Sequence, residues 1–206
     1  KRQGFSLYNR DQDTFSNYFY KENGYKATVT CIAPMNKDYL MLGTTSGVLL
    51  FDIGKERILN DTLPHPLHLL RPTAMVRQSD KIYIGVEKGL YVYSLANGTL
   101  EKLVDMPKAT RIHSVFCQMF TRIWIATEGE GLYMYDTKSK ELKNYRHEDG
   151  YSGLNSNYVR SLAVDQENRL WVGTYGGLNI YEGGKDRFLS VRNSAIQEGS
   201  CLLYTS

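Results

Sequence analysis

The sequence predicts an all-β fold, a β-propeller fragment of about four complete four-stranded blades preceded by a partial one. Two observations carry this. An apolar cassette is written four times. It reads Leu40-Met41-Leu42-Gly43-Thr44 then Gly47-Val48-Leu49-Leu50-Phe51, and returns as Ile82-Tyr83-Ile84-Gly85-Val86 then Gly89-Leu90-Tyr91-Val92-Tyr93. The third copy is Ile123-Trp124-Ile125-Ala126-Thr127 then Gly131-Leu132-Tyr133-Met134-Tyr135, and the fourth Leu170-Trp171-Val172-Gly173-Thr174 then Gly177-Leu178-Asn179-Ile180-Tyr181. The pivots Gly43, Gly85, Ala126 and Gly173 recur at a near-constant interval (85−43=42, 126−85=41, 173−126=47), which is the period of a propeller blade.

In chain order, Gly4-Phe5-Ser6-Leu7-Tyr8 matches a third strand and Thr14-Phe15-Ser16-Asn17-Tyr18 a fourth, so residues 1–20 form a partial blade. Whole blades are expected over 25–62, 68–106, 109–147 and 155–192. Within each, the half-cassettes are rich in Val, Ile, Leu, Tyr and Trp, which suit a sheet covered on both faces. Short turns closed by glycine make them hairpins. A small residue ten positions before each Met or aromatic slot marks the first strand: Cys31, Thr73, Ser114 and Ser161. Alternating charge in Leu100-Glu101-Lys102-Leu103-Val104 and Glu141-Leu142-Lys143-Asn144-Tyr145 fits a wet outer strand. Residues 193–206 depart from this pattern and are expected to be an irregular or artefactual tail; the half blade at one end and the tail at the other suggest a piece of a longer protein.

Composition narrows the function classes. Of 206 residues, 42% are hydrophobic and 23% charged, and the net charge of +3 offers no basic surface for nucleic acid. No apolar run approaches the roughly 20 residues that span a bilayer. Cys31 and Cys117 fall two blades apart, beyond disulfide reach, and read as packing residues. His65, His68, His113 and His147 have no metal-ligand spacing, and neither a phosphate loop nor a nucleophile elbow is present. No cofactor and no metal is expected.

The fourth repeat carries a family signature. Gly153-Leu154-Asn155-Ser156-Asn157, Ser161-Leu162, Asp165, Leu170-Trp171-Val172-Gly173-Thr174 and Gly176-Gly177-Leu178 resemble the two-component regulator propeller repeat. The third repeat matches with Ala126 in place of glycine; the first two diverge, with Met41 and Tyr83 where that family has tryptophan. The resemblance implies the periplasmic sensor region of a hybrid two-component histidine kinase and response regulator of Bacteroidetes type, anchored in the inner membrane, often sensing oligosaccharides and working as a homodimer. The kinase activity would then belong to the parent protein.

In a propeller, interblade loops and second-to-third-strand turns share one face. Sugar recognition calls for aromatic platforms and forked polar side chains. Arg111, Glu128, Glu130, Tyr151, Arg160 and Tyr175 supply those types there and are the candidate ligand residues, although loops are also polar simply because they are wet. Glu128 and Glu130 could also be read as a glycosidase pair, but two carboxylates on one tight turn do not readily face each other across a cleft. Three readings therefore stand: a ligand-sensing propeller, a protein-docking propeller scaffold, and a propeller carbohydrate-active enzyme for which no catalytic constellation is visible. The recurring aromatic slots, Trp171 among them, are expected to pack between blades.

Overall fold

Alternation along each second strand decides the architecture. In the computed structural model, which describes residues 4–18, 21–22, 25–59, 63, 66–147 and 153–191, four antiparallel meanders of four strands follow one another. Blade one is β5 (Val29–Pro34), β6 (Tyr39–Thr44), β7 (Val48–Asp52) and β8 (Arg57–Leu59). Blade two is β9 (Ala74–Gln78), β10 (Lys81–Val86), β11 (Gly89–Ser94) and β12 (Leu100–Asp105). Blade three is β13 (Ile112–Gln118), β14 (Arg122–Thr127), β15 (Leu132–Asp136) and β16 (Leu142–Tyr145), and blade four is β17 (Val159–Val164), β18 (Leu170–Thr174), β19 (Gly177–Glu182) and β20 (Arg187–Ser190). Ahead of them, β1 (Phe5–Asn9) pairs with β2 (Thr14–Tyr18), and β3 (Lys21–Glu22) with β4 (Tyr25–Lys26). The only helical turn among the described residues is the 3-10 segment Leu67–Leu69.

On β14, Ile123 and Ile125 join the core shared with blade two, while Trp124 and Ala126 join the core shared with blade four. Ile82 and Ile84 likewise face blade one and Tyr83 faces blade three. Leu42 faces the partial blade and Met41 faces blade two. In blades one to three the Met or aromatic slot thus looks forward to the next blade and its neighbours look back. A period of two on a sheet with both faces covered produces this division, and the core is a row of layers between sheets. The first strands adjoin in sequence, β5 against β9, β9 against β13 and β13 against β17, so they lie innermost.

The pivots sit where blades approach most closely. A methyl group at Gly85 would lie 3.0 Å from Ile112 and 3.1 Å from Val115 of the next blade. First-strand partners of the pivots are Cys31, Ala74, Ser114 and Ser161. Ala74, not Thr73, therefore fills the small-residue slot of blade two. The cause is the two-residue turn Ser79-Asp80, shorter than the turns of the other blades, with Ser79 at φ 54°. Cys31 and Cys117 are half-buried free thiols; burial pushes them up to about 11 and about 12, so little thiolate is present at neutral pH. Residues 193–206, His65 and Tyr151 lie outside the described residues.

Two of the blade junctions share a polar latch on the outer strands. Tyr18 of β2 donates to Glu56 in the β7–β8 turn, and Tyr145 of β16 donates to Asp186 in the β19–β20 turn at 2.5 Å. Glu56 and Asp186 occupy the same turn position, both at φ 50°. Tyr181 also donates to Asp186, at 2.7 Å, which closes a cluster in which Trp124 is fully buried against Tyr145, Tyr181 and Phe188.

Candidate functional site

Bulges build the inner rim. The pairing of first and second strands slips by one residue between Val29 and Cys31, between Ile112 and Ser114, and between Val159 and Ser161. The residues squeezed out of the ladder are Thr30, His113 and Arg160. A bulge bends its strand and re-aims its side chain, and here each lies beside the turn that joins the second and third strands. In blade two, Thr73 takes the equivalent place, its hydroxyl 3.4 Å from the Gly85 carbonyl just as the Thr30 hydroxyl lies 3.0 Å from that of Gly43.

The facing turn residues are Thr45, Glu87, Glu128 and Tyr175, and in blades one, three and four they are held by a repeated backbone bond. Thr45 N–H donates to the Thr28 carbonyl, Glu128 N–H to that of Arg111 and Tyr175 N–H to that of Tyr158, at 2.9–3.0 Å. Glu128 also bridges to Tyr158, which stitches the turn of blade three to the loop entering blade four. Further out in that loop, the Asn155 side-chain oxygen accepts from Thr174 at 2.6 Å and from Asn179 at 2.7 Å. Asn155 is thus a brace for the turn that carries Tyr175.

Between blades three and four these slots converge. The Arg160 guanidinium lies 4.5 Å from the centre of the Tyr175 ring, a cation–π contact. Tyr175 stacks on Tyr158 at 5.5 Å and 12° between planes, and both rings are exposed, 62% and 47%. Arg160 Nη1 lies 3.0 Å from His113 Nε2. The same Nη1 lies 3.4 Å from His113 Nδ1, so the guanidinium rests against the imidazole as a whole. Burial and the charge of Arg160 both hold the His113 pKa below its ordinary value, with Glu128 opposing them. The Glu128 carboxylate stands 3.6 Å from His113 Nε2.

Of the residues singled out by sequence, Glu128, Arg160 and Tyr175 come together, with Arg111 supplying the backbone acceptor beside them and a positive charge felt at His113. Glu130 points elsewhere. It pairs with Arg146 at 2.6 Å and Lys108 at 3.4 Å, and Arg146 above all holds its carboxyl below the ordinary range. A carboxylate held in two ion pairs is a structural anchor and a poor general base. Sequence reasoning passed over His113 and Tyr158. The usable signal was positional: His113 precedes Ser114 as Arg160 precedes Ser161. No group of three His, Cys, Asp or Glu side chains able to hold a metal occurs among the described residues. No helix among them is long and apolar enough to cross a membrane.

Between blades one and two the same rim encloses a concavity of about 390 Å³, lined by Thr30, Thr45, Leu69, Leu70, Arg71, Pro72, Thr73, Val86, Glu87 and Lys88 among others. Its wall is largely apolar. The Thr30 hydroxyl is occupied by the Pro72 carbonyl at 2.5 Å.

Residues 153–176, which include Tyr158, Arg160 and Tyr175, match the family described as the two component regulator propeller. The chain is 39% identical over 59 residues to histidine kinase P4 of Formosa agariphila, a stretch covering 28% of this chain and 4% of that protein. Among solved structures it resembles extracellular domains described as belonging to hybrid two-component systems of B. thetaiotaomicron. For BT4673 the TM-score is 0.73 at 20% identity, covering 86% of this chain and 24% of that one. For BT3049 the TM-score is 0.68 at 24% identity, covering 93% and 26%. The chain thus spans about a quarter of those structures. The propeller fold is shared with them, and within the fourth blade residues 153–176 are similar to the two-component regulator propeller repeat.

Proposed function

We propose that this chain is a ligand-sensing propeller segment of the extracytoplasmic region of a membrane-anchored hybrid two-component histidine kinase, that its ligand is an oligosaccharide, and that the segment itself is not catalytic. One observation carries the reading: the repeat that matches the two-component regulator propeller family also supplies Tyr158, Arg160 and Tyr175 to the rim cluster. Exposed stacked tyrosines beside a forked donor are the groups that hold a pyranose, the rings meeting its C–H face and the donors its hydroxyls. A propeller whose blades pack as layers changes little in shape on binding. The signal would therefore arise when ligand biases the arrangement of two sensor protomers, which the parent's kinase reads across the inner membrane. The periplasm is the compartment this assigns.

A docking scaffold is the second reading, favoured by one feature of the opposite face. Met119 and Phe120 form the tip of the β13–β14 turn, 62% and 72% exposed, both in the left-handed region at φ 51° and 59°. Bulky side chains are costly there. A thermal-shift screen against a panel of neutral and acidic oligosaccharides separates the two readings. Stabilisation by at least one member, lost in Tyr175→Ala, is expected for the sensor. A flat response to the whole panel would favour docking.

A further inference from the structure

Building on the proposal that the blade three–four rim reads a saccharide, we infer that the sugar it takes carries a carboxylate, a uronate-type residue seated on Arg160. The four blades allow a comparison within one molecule. At the bulge slot stand Thr30, Thr73, His113 and Arg160, and at the turn slot Thr45, Glu87, Glu128 and Tyr175. In blade one the slot is saturated, since the Thr30 hydroxyl is spent on the Gly43 and Pro72 carbonyls. In blade four it is not. One face of the Arg160 guanidinium is covered by Tyr175 and one nitrogen is turned to His113. No carboxylate of the described residues lies within ion-pair distance of Arg160, as is also true of Arg57, Arg71, Arg77 and Arg122; what distinguishes Arg160 is its exposed place on the rim between Tyr175 and His113.

Glu128 is the carboxylate that stands beside His113 on this rim, 3.6 Å from its Nε2, and it is not in ion-pair contact with Arg160. Arg160 is left with in-plane N–H groups on the edge away from Tyr175. A planar carboxylate meets such a fork in two parallel hydrogen bonds. The stacked pair Tyr158–Tyr175, whose inner ring covers one face of the guanidinium, offers exposed aromatic surface beside it for the sugar ring that bears the carboxylate. Glu128, 41% exposed, is free to accept a hydroxyl of that ring or its neighbour.

Titration calorimetry on the chain at neutral pH and low salt tests this with three probes: a digalacturonate, its methyl ester and a sulfated neutral disaccharide. The digalacturonate is expected to bind at least about tenfold more tightly than its ester, with a preference that weakens as salt rises. Arg160→Gln should bring that ratio close to one. Arg160→Lys should retain part of it, because charge survives without the fork. Equal affinity for acid and ester, or tighter binding of the sulfated sugar, would overturn the carboxylate assignment while leaving saccharide sensing intact. Failure of all three probes would also overturn it, and a neutral oligosaccharide that binds in the thermal-shift screen would then show that sensing itself survives. Arg160 is exposed on the rim, so neither variant is expected to unfold the blade.

Discussion

The rim between blades one and two and the rim between blades three and four are built on the same backbone and do different things. Each presents bulge-slot and turn-slot side chains beside the axis. In the first pair, threonine hydroxyls are satisfied by carbonyls and the wall around them is largely apolar. In the second pair the same positions hold an imidazole, a carboxylate, a guanidinium and a tyrosine that engage one another and face solvent. Framework positions barely vary between the pairs: the pivots stay glycine or alanine, their partners stay small, and the forward-facing slot stays large. Function in a repeat fold is therefore to be sought where equivalent slots differ.

The forward-facing slot itself gives the largest expected effect. Trp124 is fully enclosed by Tyr145, Tyr181 and Phe188 of blades three and four, and its indole donates to Gln118 at 2.9 Å. Trp124→Ala should cost about 3–5 kcal/mol, read by chemical denaturation. Trp171 is half-buried, with its indole N–H held by Asp165 at 2.8 Å, so Trp171→Ala should cost less. Equal losses would mean that Trp171 is as enclosed as Trp124, contrary to its half-buried setting.

The outer latch is the next way to sharpen the comparison. Tyr145→Phe removes the bond to Asp186 while keeping the ring in its cluster, and should cost about 0.5–1.5 kcal/mol. The junction between blades one and two has no equivalent acceptor, because Gly98 stands at that turn position in blade two. A null effect would assign the junction to apolar packing alone.

The smallest expected effect is a pH slope. The His113 pKa is lowered in the folded state, so the unfolded chain binds the proton more readily. Stability from this group is complete above its unfolded value of about 6.5 and declines as pH falls from there through the folded value. Asp165 and Glu130 are depressed carboxyls, by the Trp171 indole and Arg146 respectively, and act in a separate and more acidic window. His113→Gln should flatten the slope near pH 6. Its persistence in that variant would place the titration elsewhere.

Much of the fold was legible because packing repeats. An alternating strand with a large residue at one slot and glycine after the next is a statement about two neighbouring sheets, and it was written four times. Local turn length was the weak point: the short Ser79-Asp80 turn moved Thr73 out of the small-residue slot and put Ala74 into it. The site was half legible. Arg160, Glu128 and Tyr175 could be placed on one face from the loops alone. His113 was passed over although it stands before Ser114 as Arg160 stands before Ser161, because the bulge that aims both at the rim shows only as a slip in pairing. Glu128 and Glu130 are the same residue type two apart, yet Gly129 at φ 91° and Gly131 at φ 79° turn the chain between and beyond them, and their carboxylates reach different partners.

The most direct measurement exchanges the two rims. Thermal stabilisation by a binding oligosaccharide should disappear in Tyr175→Ala and persist in Thr45→Ala, which alters the equivalent turn slot of blade one. Loss of the response in Thr45→Ala with retention in Tyr175→Ala would contradict the assignment of ligand reading to blades three and four.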